Sequence, residues 1–184
     1  RRFLDDINKN KVLGVYNLND QILDYSQEKK LLNKIKNIIS KFDLVIVSDY
    51  GHGFITKKVA DLICKKSKYL ALNAQVNAAN IGYHSMRNYK NIDCVIINAT
   101  ELRHEMRNKD LKIETLMKSL SIKLNINYLV VTRGSLGSIL YNKKINKYFY
   151  SDAYAKTVID KIGAGDTMLS LVSLSLKYGL NFNV

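Results

Sequence analysis

The sequence predicts an α/β protein with three layers, in which a mostly parallel sheet is covered by helices on both faces. Short apolar runs alternate along the chain with segments of helical period, and strands joined by helices pair in parallel. The chain has 184 residues, 47% of them hydrophobic, which is enough for one domain with a sizeable core. Polar residues follow the apolar runs, at the carboxyl ends of the predicted strands. Open α/β sheets bind their ligands at these ends.

The elements of the first half are predicted from hydrophobic period and capping residues. Thr56 is the expected N-cap of a helix that ends near Lys66. Residues 77–86 are ambiguous. The remaining elements are a short strand over 11–16, an amphipathic helix over 31–39, a strand apolar on both faces over 42–48 and a strand over 69–73.

The second half continues the alternation and ends in a helix. A hairpin is expected across Asn142, and a buried helix should begin at Gly163 and end near Tyr178. The other elements are a strand over 93–97, a short helix from Thr100, a helix over 113–124 and a strand over 128–132. Residues 138–141 and 147–150 form the hairpin strands.

The charge distribution, the apolar runs and the cysteines of the chain indicate neither a nucleic-acid-binding protein nor a membrane protein. The formal net charge of +13 makes nucleic-acid binding a candidate, but the lysines are scattered along helical segments without a dense basic arm. We therefore expect a solvated lysine surface, with no nucleic-acid partner. No apolar run is long enough to span a bilayer, so no membrane partner is expected. Cys64 and Cys94 lack metal-ligand spacing, which indicates a buried, reduced pair in a cytoplasmic protein.

The segment Gly163-Ala164-Gly165-Asp166 is the most informative motif of the chain. It places two glycines and a carboxylate at a predicted helix start, where unpaired N–H groups hold anions. Glycine lets the backbone approach a phosphate closely, and the acid can take a proton from a nucleophile. These are the parts needed for phosphoryl transfer to a hydroxyl. A plain glycine-rich turn with a first-turn acid has the same pattern.

Two further motifs follow predicted strands in the same order along the chain. Asn98 and Glu101 lie one turn apart and suit the water shell of a magnesium ion or a phosphate, although an Asn turn with a first-turn acid looks alike. The segment Thr132-Arg133-Gly134-Ser135-Leu136-Gly137 suits a tight loop around a nucleotide phosphate. Arg133 could add a charge-assisted contact. A simple turn is the alternative.

Two loops are candidates for substrate contacts. In Asp49-Tyr50-Gly51-His52-Gly53 a polar group could face a substrate, whereas His52 is also typical of an ordinary turn histidine. Asn73 opens an amide-rich segment that could bind a sugar or nucleotide, or only cap the next helix. We take Asp49, Gly51, His52 and Asn73 as the substrate residues.

The ordered motifs resemble the PfkB, or ribokinase-like, carbohydrate kinases over nearly the whole chain. The resemblance implies a ribokinase-like fold, ATP and Mg²⁺ as cofactors, and phosphorylation of a hydroxyl on a sugar or sugar phosphate. Asp166 would be the catalytic base, and the amides of residues 164–166 the anion hole. Asp160 would belong to the same motif, Asn98 and Glu101 to the magnesium and phosphate motif, and Thr132, Gly134 and Gly137 to the nucleotide-phosphate loop.

The segment from Asp49 to Gly53 is similar to the kinase half of bifunctional ADP-heptose synthases, which phosphorylate a heptose 7-phosphate. Those proteins usually carry Lys at the position of His52 and an acid at that of Asn73. The segment 73–80 is similar to a related branch of PfkB kinases that are fused to nucleotidyltransferase domains. Such a fused domain is therefore an expected partner.

The resemblance also implies a domain division and leaves an alternative function open. Residues 1–17 would end a β lid, and residues 18–184 would form the nucleotide-binding core. The family's sugar-binding glycines and its C-terminal continuation have no counterpart here, which suggests a fragment. Lid strands often pair between subunits in this family, so a homodimer through the lid is expected only of the intact protein. The alternative is a non-catalytic domain that binds nucleotide or a protein partner.

Overall fold

The computed structural model describes residues 1–7, 11–15, 17, 21–75, 85–154 and 163–180. The strands are β1 (Arg2–Leu4), β2 (Lys11–Gly14), β3 (Val45–Asp49), β4 (Leu70–Ala74), β5 (Ile92–Asn98), β6 (Ile126–Thr132), β7 (Ser138–Asn142) and β8 (Lys147–Ser151). The helices are α1 (Tyr25–Ile38), α2 (Lys57–Lys66), α3 (Ala99–Met106), α4 (Ile113–Leu124) and α5 (Ala164–Lys177). Within these ranges, no helix combines the length and apolarity that crossing a bilayer requires.

Six strands form one sheet in the order β3-β4-β5-β6-β7-β8. The strands β3 to β6 pair in parallel, and β7 and β8 add an antiparallel hairpin. One face of the sheet shares a core with helices α1 to α4, and the other packs against α5. The prediction of a mostly parallel sheet between two helical layers is confirmed. A separate antiparallel pair, β1 and β2, precedes it, and the assignment of residues 1–17 to a lid stays a prediction.

Side-chain caps mark the starts of α1 and α2. The Thr56 hydroxyl accepts the Val59 N–H at the start of α2, as predicted. Helix α1 begins at Tyr25, six residues before the predicted start, because Asp24 and Gln27 form a capping box. Helix α4 has its predicted bounds.

Three expectations about burial are wrong in part. Helix α5 was predicted to be buried, but it is exposed along one side, where Leu171 is 61% exposed. Strand β3 was expected to be apolar and buried on both faces, but Ile46 is 40% exposed and Ser48 is exposed. It is an edge strand, and its Ile46 side is open to solvent. Of the two thiols, Cys94 is buried and Cys64 only half-buried, and both are free. Burial raises the pKa of the Cys94 thiol to about 12, so this thiol stays protonated near neutral pH.

Candidate active site

The parallel strands bring the predicted polar residues to one edge of the sheet. Asp49, Asn98 and Thr132 are the last residues of β3, β5 and β6, and Asn73 is the last but one of β4. The register pairs Ser48 with Asn73 and Asn98 with Thr132. The sequence-based grouping of these four residues at the carboxyl edge is therefore confirmed.

The direction of α5 brings the glycine motif to the same edge. The Lys177 ammonium, at the end of α5, lies 5.7 Å from the ring centre of Tyr69, which precedes β4. The C-terminal end of α5 is therefore at the amino edge of the sheet. Fourteen residues of helix span about 21 Å, which carries Gly163 toward the carboxyl edge.

The start of α5 has the features of an anion site. Gly163 is the N-cap with a φ of +80°, and no side chain caps the helix. The first internal bond runs from the Thr167 N–H to the Gly163 carbonyl, so the helix supplies no acceptor for the amides of Ala164, Gly165 and Asp166. All four residues of the motif are exposed. Asp160 lies outside the described residues.

Asp49 is buried, and each of its carboxylate oxygens accepts a hydrogen bond. Oδ1 accepts the Gly51 N–H at 2.9 Å, and Oδ2 accepts the Tyr89 hydroxyl at 2.6 Å. Burial, followed by the Asp49 charge, raises the pKa of Tyr89 far above its usual value, so this hydroxyl stays a donor. His52 is half-buried in the turn between two glycines of positive φ, Gly51 and Gly53.

Asn73 is also buried, but on the other face of the sheet. Asp49 pairs with Ala74, which belongs to the core of α1 to α4, and side chains alternate along a strand. The Asn73 Nδ2 donates to the Ile96 carbonyl at 2.7 Å. Its Oδ1 is a buried acceptor without a partner in the part of the chain that is described. Asp49 and Asn73 thus approach the edge from opposite faces.

Asn98 and Glu101 form a capping box at the start of α3. The Asn98 Oδ1 accepts the Glu101 N–H, and the Glu101 Oε2 accepts the Asn98 N–H, both at 2.8 Å. The helix begins one residue earlier than predicted because Asn98, the last residue of β5, is also its N-cap. The motif therefore has a structural role, whatever it binds.

Asn98 and Glu101 carry oxygen atoms of the kind that a hydrated magnesium ion contacts. The Asn98 amide oxygen and one Glu101 oxygen already accept a backbone N–H. No cluster of three or more His, Cys, Asp or Glu side chains occurs among the described residues. Magnesium usually keeps several waters and takes phosphates as ligands, so contact through water is compatible with these donors.

The segment after β6 is a closed turn. The Arg133 N–H donates to the Gly137 carbonyl, and the Gly137 N–H donates to the Gly134 carbonyl. The Arg133 Nη2 donates to the Leu136 carbonyl at 2.7 Å, so this guanidinium stabilises the loop to which it belongs. The predicted contact of Arg133 with a phosphate stays a prediction. The short helix begins at Gly134, and the first amides of such a helix face outward without an internal acceptor.

Sequence reasoning missed Tyr89, the buried partner of Asp49. It follows a short helical turn over Met86–Asn88 and is 0% exposed. Tyr89 lies between Asn88 and Lys90, outside any run of apolar residues with the period of a helix or strand. Its burial therefore could not be predicted locally, because it depends on contacts with distant elements.

Comparisons with known proteins show the family to which the sequence belongs. The sequence matches the pfkB family carbohydrate kinase over residues 9–182. The "Bifunctional protein HldE" of Desulfatibacillum aliphaticivorans is 27% identical over 188 residues, which cover 95% of this chain and 37% of that protein. The corresponding protein of Geotalea uraniireducens is 28% identical over 158 residues, which cover 84% of this chain and 31% of that protein.

The solved structures agree in fold. The phosphofructokinase-2 of Escherichia coli in complex with fructose-6-phosphate has a TM-score of 0.72 at 15% identity, with 96% of this chain and 57% of that chain covered. This chain therefore spans little more than half of that structure and about a third of its curated relatives. Because the family match extends over almost all of the described sheet and helices, this chain belongs to the pfkB family of carbohydrate kinases.

Proposed function

We propose that this chain belongs to an enzyme that transfers the γ-phosphoryl group of ATP to a hydroxyl of a sugar or sugar phosphate. The observation that carries the proposal is the exposed start of α5, where Gly163 leaves the first amides uncapped and Asp166 lies in the first turn. Family membership supports the reaction class.

In the proposed reaction, the acceptor hydroxyl oxygen attacks the γ-phosphorus of ATP. The new bond joins this oxygen to phosphorus, the bond to the β,γ-bridging oxygen breaks, and ADP leaves. The Asp166 carboxylate takes the hydroxyl proton, and the amides of Ala164 and Gly165 hold the charge of the transferred group. Mg²⁺ would neutralise phosphate charge, with Glu101 and Asn98 contacting it through water.

The acceptor is proposed to be a heptose phosphate or a related sugar phosphate. The support is the similarity of the segment from Asp49 to Gly53 to the kinase half of ADP-heptose synthases. The proteins of similar sequence are named bifunctional and are about three times as long as this chain. A nucleotidyltransferase domain is accordingly the proposed partner domain.

A coupled assay of ADP release tests the proposal directly. The chain is incubated with ATP, Mg²⁺ and either D-ribose, fructose 6-phosphate or a heptose 7-phosphate. We expect ADP release that depends on one of these acceptors. The uncapped start of α5 also suits a second candidate, a non-catalytic nucleotide-binding domain. Calorimetric binding of ATP without acceptor-dependent ADP release would favour that candidate instead.

Capping boxes at the starts of α1 and α3 allow a structural role of Asn98 to be distinguished from a role in binding ATP. Asn98→Ala and Asp24→Ala each remove an N-cap at an exposed position, so each should lower the free energy of unfolding by about 0.5–2 kcal/mol. Only Asn98→Ala should also weaken ATP binding in the presence of Mg²⁺, because Asn98 belongs to the proposed magnesium and phosphate motif and Asp24 belongs to none of the proposed motifs. Equal ATP affinity of both variants would show that Asn98 is only a cap.

The hairpin of β1 and β2 is proposed to pair with a second copy of the chain. Phe3 faces Leu13 across the hairpin, and both are about half exposed. A two-stranded sheet is marginal alone. We expect Leu13→Asp to lower the mass measured by light scattering to that of a monomer, whereas Leu111→Asp, at a similarly exposed residue elsewhere, should not. A monomeric unmodified chain would contradict this pairing.

A further inference from the structure

Tyr89 lies in none of the motifs of the sequence, yet it contacts one of the predicted substrate residues. Its hydroxyl donates to the Asp49 Oδ2 at 2.6 Å within the core. This separation is in the range of charge-assisted O–H···O⁻ bonds, which are roughly twice as strong as neutral ones. The ring is fully buried among apolar residues, so the hydroxyl has little freedom to turn elsewhere.

The segment that carries Tyr89 is anchored on both sides. The Met86 N–H and the Ser85 hydroxyl donate to the two carboxylate oxygens of Glu105 on α3, at 3.0 and 3.1 Å. After Tyr89, the Asn91 N–H donates to the Leu124 carbonyl at the end of α4. Tyr89 therefore presents its hydroxyl from a fixed position.

The two donors fix the plane of the Asp49 carboxylate. Gly51 approaches Oδ1 from the loop after β3, and Tyr89 approaches Oδ2 from a segment 40 residues away in sequence. A carboxylate oxygen can accept a further hydrogen bond beside the one it has. The two donors hold the Asp49 carboxylate in one defined orientation.

We propose that Tyr89 is a positioning residue that orients the Asp49 carboxylate for binding of the sugar acceptor. This inference rests on the proposed function, because it takes Asp49 as a substrate contact. It adds a residue that acts through Asp49 and touches neither the acceptor nor ATP.

The test compares Tyr89→Phe with Tyr141→Phe. Tyr141 is equally buried in the same core, but its hydroxyl donates to Asn146 in the β7–β8 hairpin. Affinities for ATP and for D-ribose, fructose 6-phosphate and a heptose 7-phosphate are measured by calorimetry on both variants and the unmodified chain. Turnover is followed by ADP release. All measurements are made at 10 °C, after circular dichroism has shown which proteins are folded.

We expect Tyr89→Phe to raise the Kd and KM of the accepted sugar about tenfold, which corresponds to about 1.4 kcal/mol, close to the lower end of the range for hydrogen bonds to charged groups. The Kd of ATP and kcat at saturating sugar should change less than about twofold, since the proposed base Asp166 is untouched. Tyr141→Phe should change none of them. In the Asp49→Asn background, adding Tyr89→Phe should have little further effect on sugar affinity.

The outcomes distinguish this inference from the proposed function. If the unmodified chain binds none of the three sugars, the proposed function fails and the inference fails with it. If the chain binds a sugar and Tyr89→Phe binds it equally well, only the positioning role is overturned. A Tyr89→Phe variant that is unfolded at 10 °C would also overturn it, because the hydroxyl would then support the fold rather than the site.

Discussion

Replacing Asp166 with Asn is expected to lower acceptor-dependent ADP release about 10²–10⁴-fold, the usual contribution of a general base. Asn has almost the same shape but cannot take the proton of the attacking hydroxyl. Asp166 is exposed in the first turn of α5, so its replacement should leave the fold intact. The Kd of ATP should change far less than kcat, because the backbone amides of the helix start remain in place.

Asp61→Asn is the matched control for this prediction. Asp61 is an exposed carboxylate on α2, in the opposite helical layer, and its replacement should leave turnover unchanged. Initial rates at saturating ATP and acceptor give the comparison. Unchanged turnover of Asp166→Asn would remove Asp166 from the role of base, while leaving the anion site at the start of α5 to be tested by ATP binding.

Replacing Gly137 with Ala is expected to destabilise the protein by about 2–6 kcal/mol. The backbone of Gly137 has φ +74° and ψ −137°, a region that other residues enter at a cost of about 1–3 kcal/mol. A Cβ there would lie 1.9 Å from the Ser151 carbonyl oxygen and 2.8 Å from the Asp152 carbonyl carbon. Relieving such an overlap costs a further 1–3 kcal/mol or so.

Gly134→Ala in the same turn separates the overlap from the backbone strain. Gly134 also has a positive φ, +61°, but a Cβ there would meet nothing within 4 Å. Its replacement should cost only about 1–2 kcal/mol. Urea denaturation followed by circular dichroism measures both. Equal losses in the two variants would mean that the backbone after β8 can move away from Gly137, and that this close approach is not fixed.

Some roles of the motif residues depend on tertiary contacts that the motifs themselves do not indicate. The spacing of Gly134 and Gly137 predicts a tight loop, and the structure has one. No local pattern indicates that Gly137 must also lack a side chain because the backbone at the end of β8 lies against it. That contact joins residues brought together by the pairing of β7 with β8. Likewise, the spacing of Asn98 and Glu101 suits a phosphate site and a capping box equally well, and the box is what their side chains form.

The exposure of one face of β3 also depends on the tertiary structure and not on a local pattern. The apolar run over residues 44–47 predicts a strand buried on both faces, because alternation is absent. Whether both faces are covered depends on the number of helices and on the position of the strand in the sheet. Here β3 lies at the edge, and its exposed Ile46 could be recognised only from the assembled layers.

Local sequence patterns predict the fold class, the order of the strands of the main sheet and of its helices, and the carboxyl-edge position of Asp49, Asn73, Asn98, Thr132 and the Gly163 motif. These follow from local period, from capping and from the rule that parallel strands share an edge. The assembled fold, in contrast, is needed to see that Asp49 and Asn73 approach this edge from opposite faces and that Tyr89 contacts Asp49. Such contacts join residues far apart in the chain, and their geometry depends on how the layers pack rather than on any local pattern.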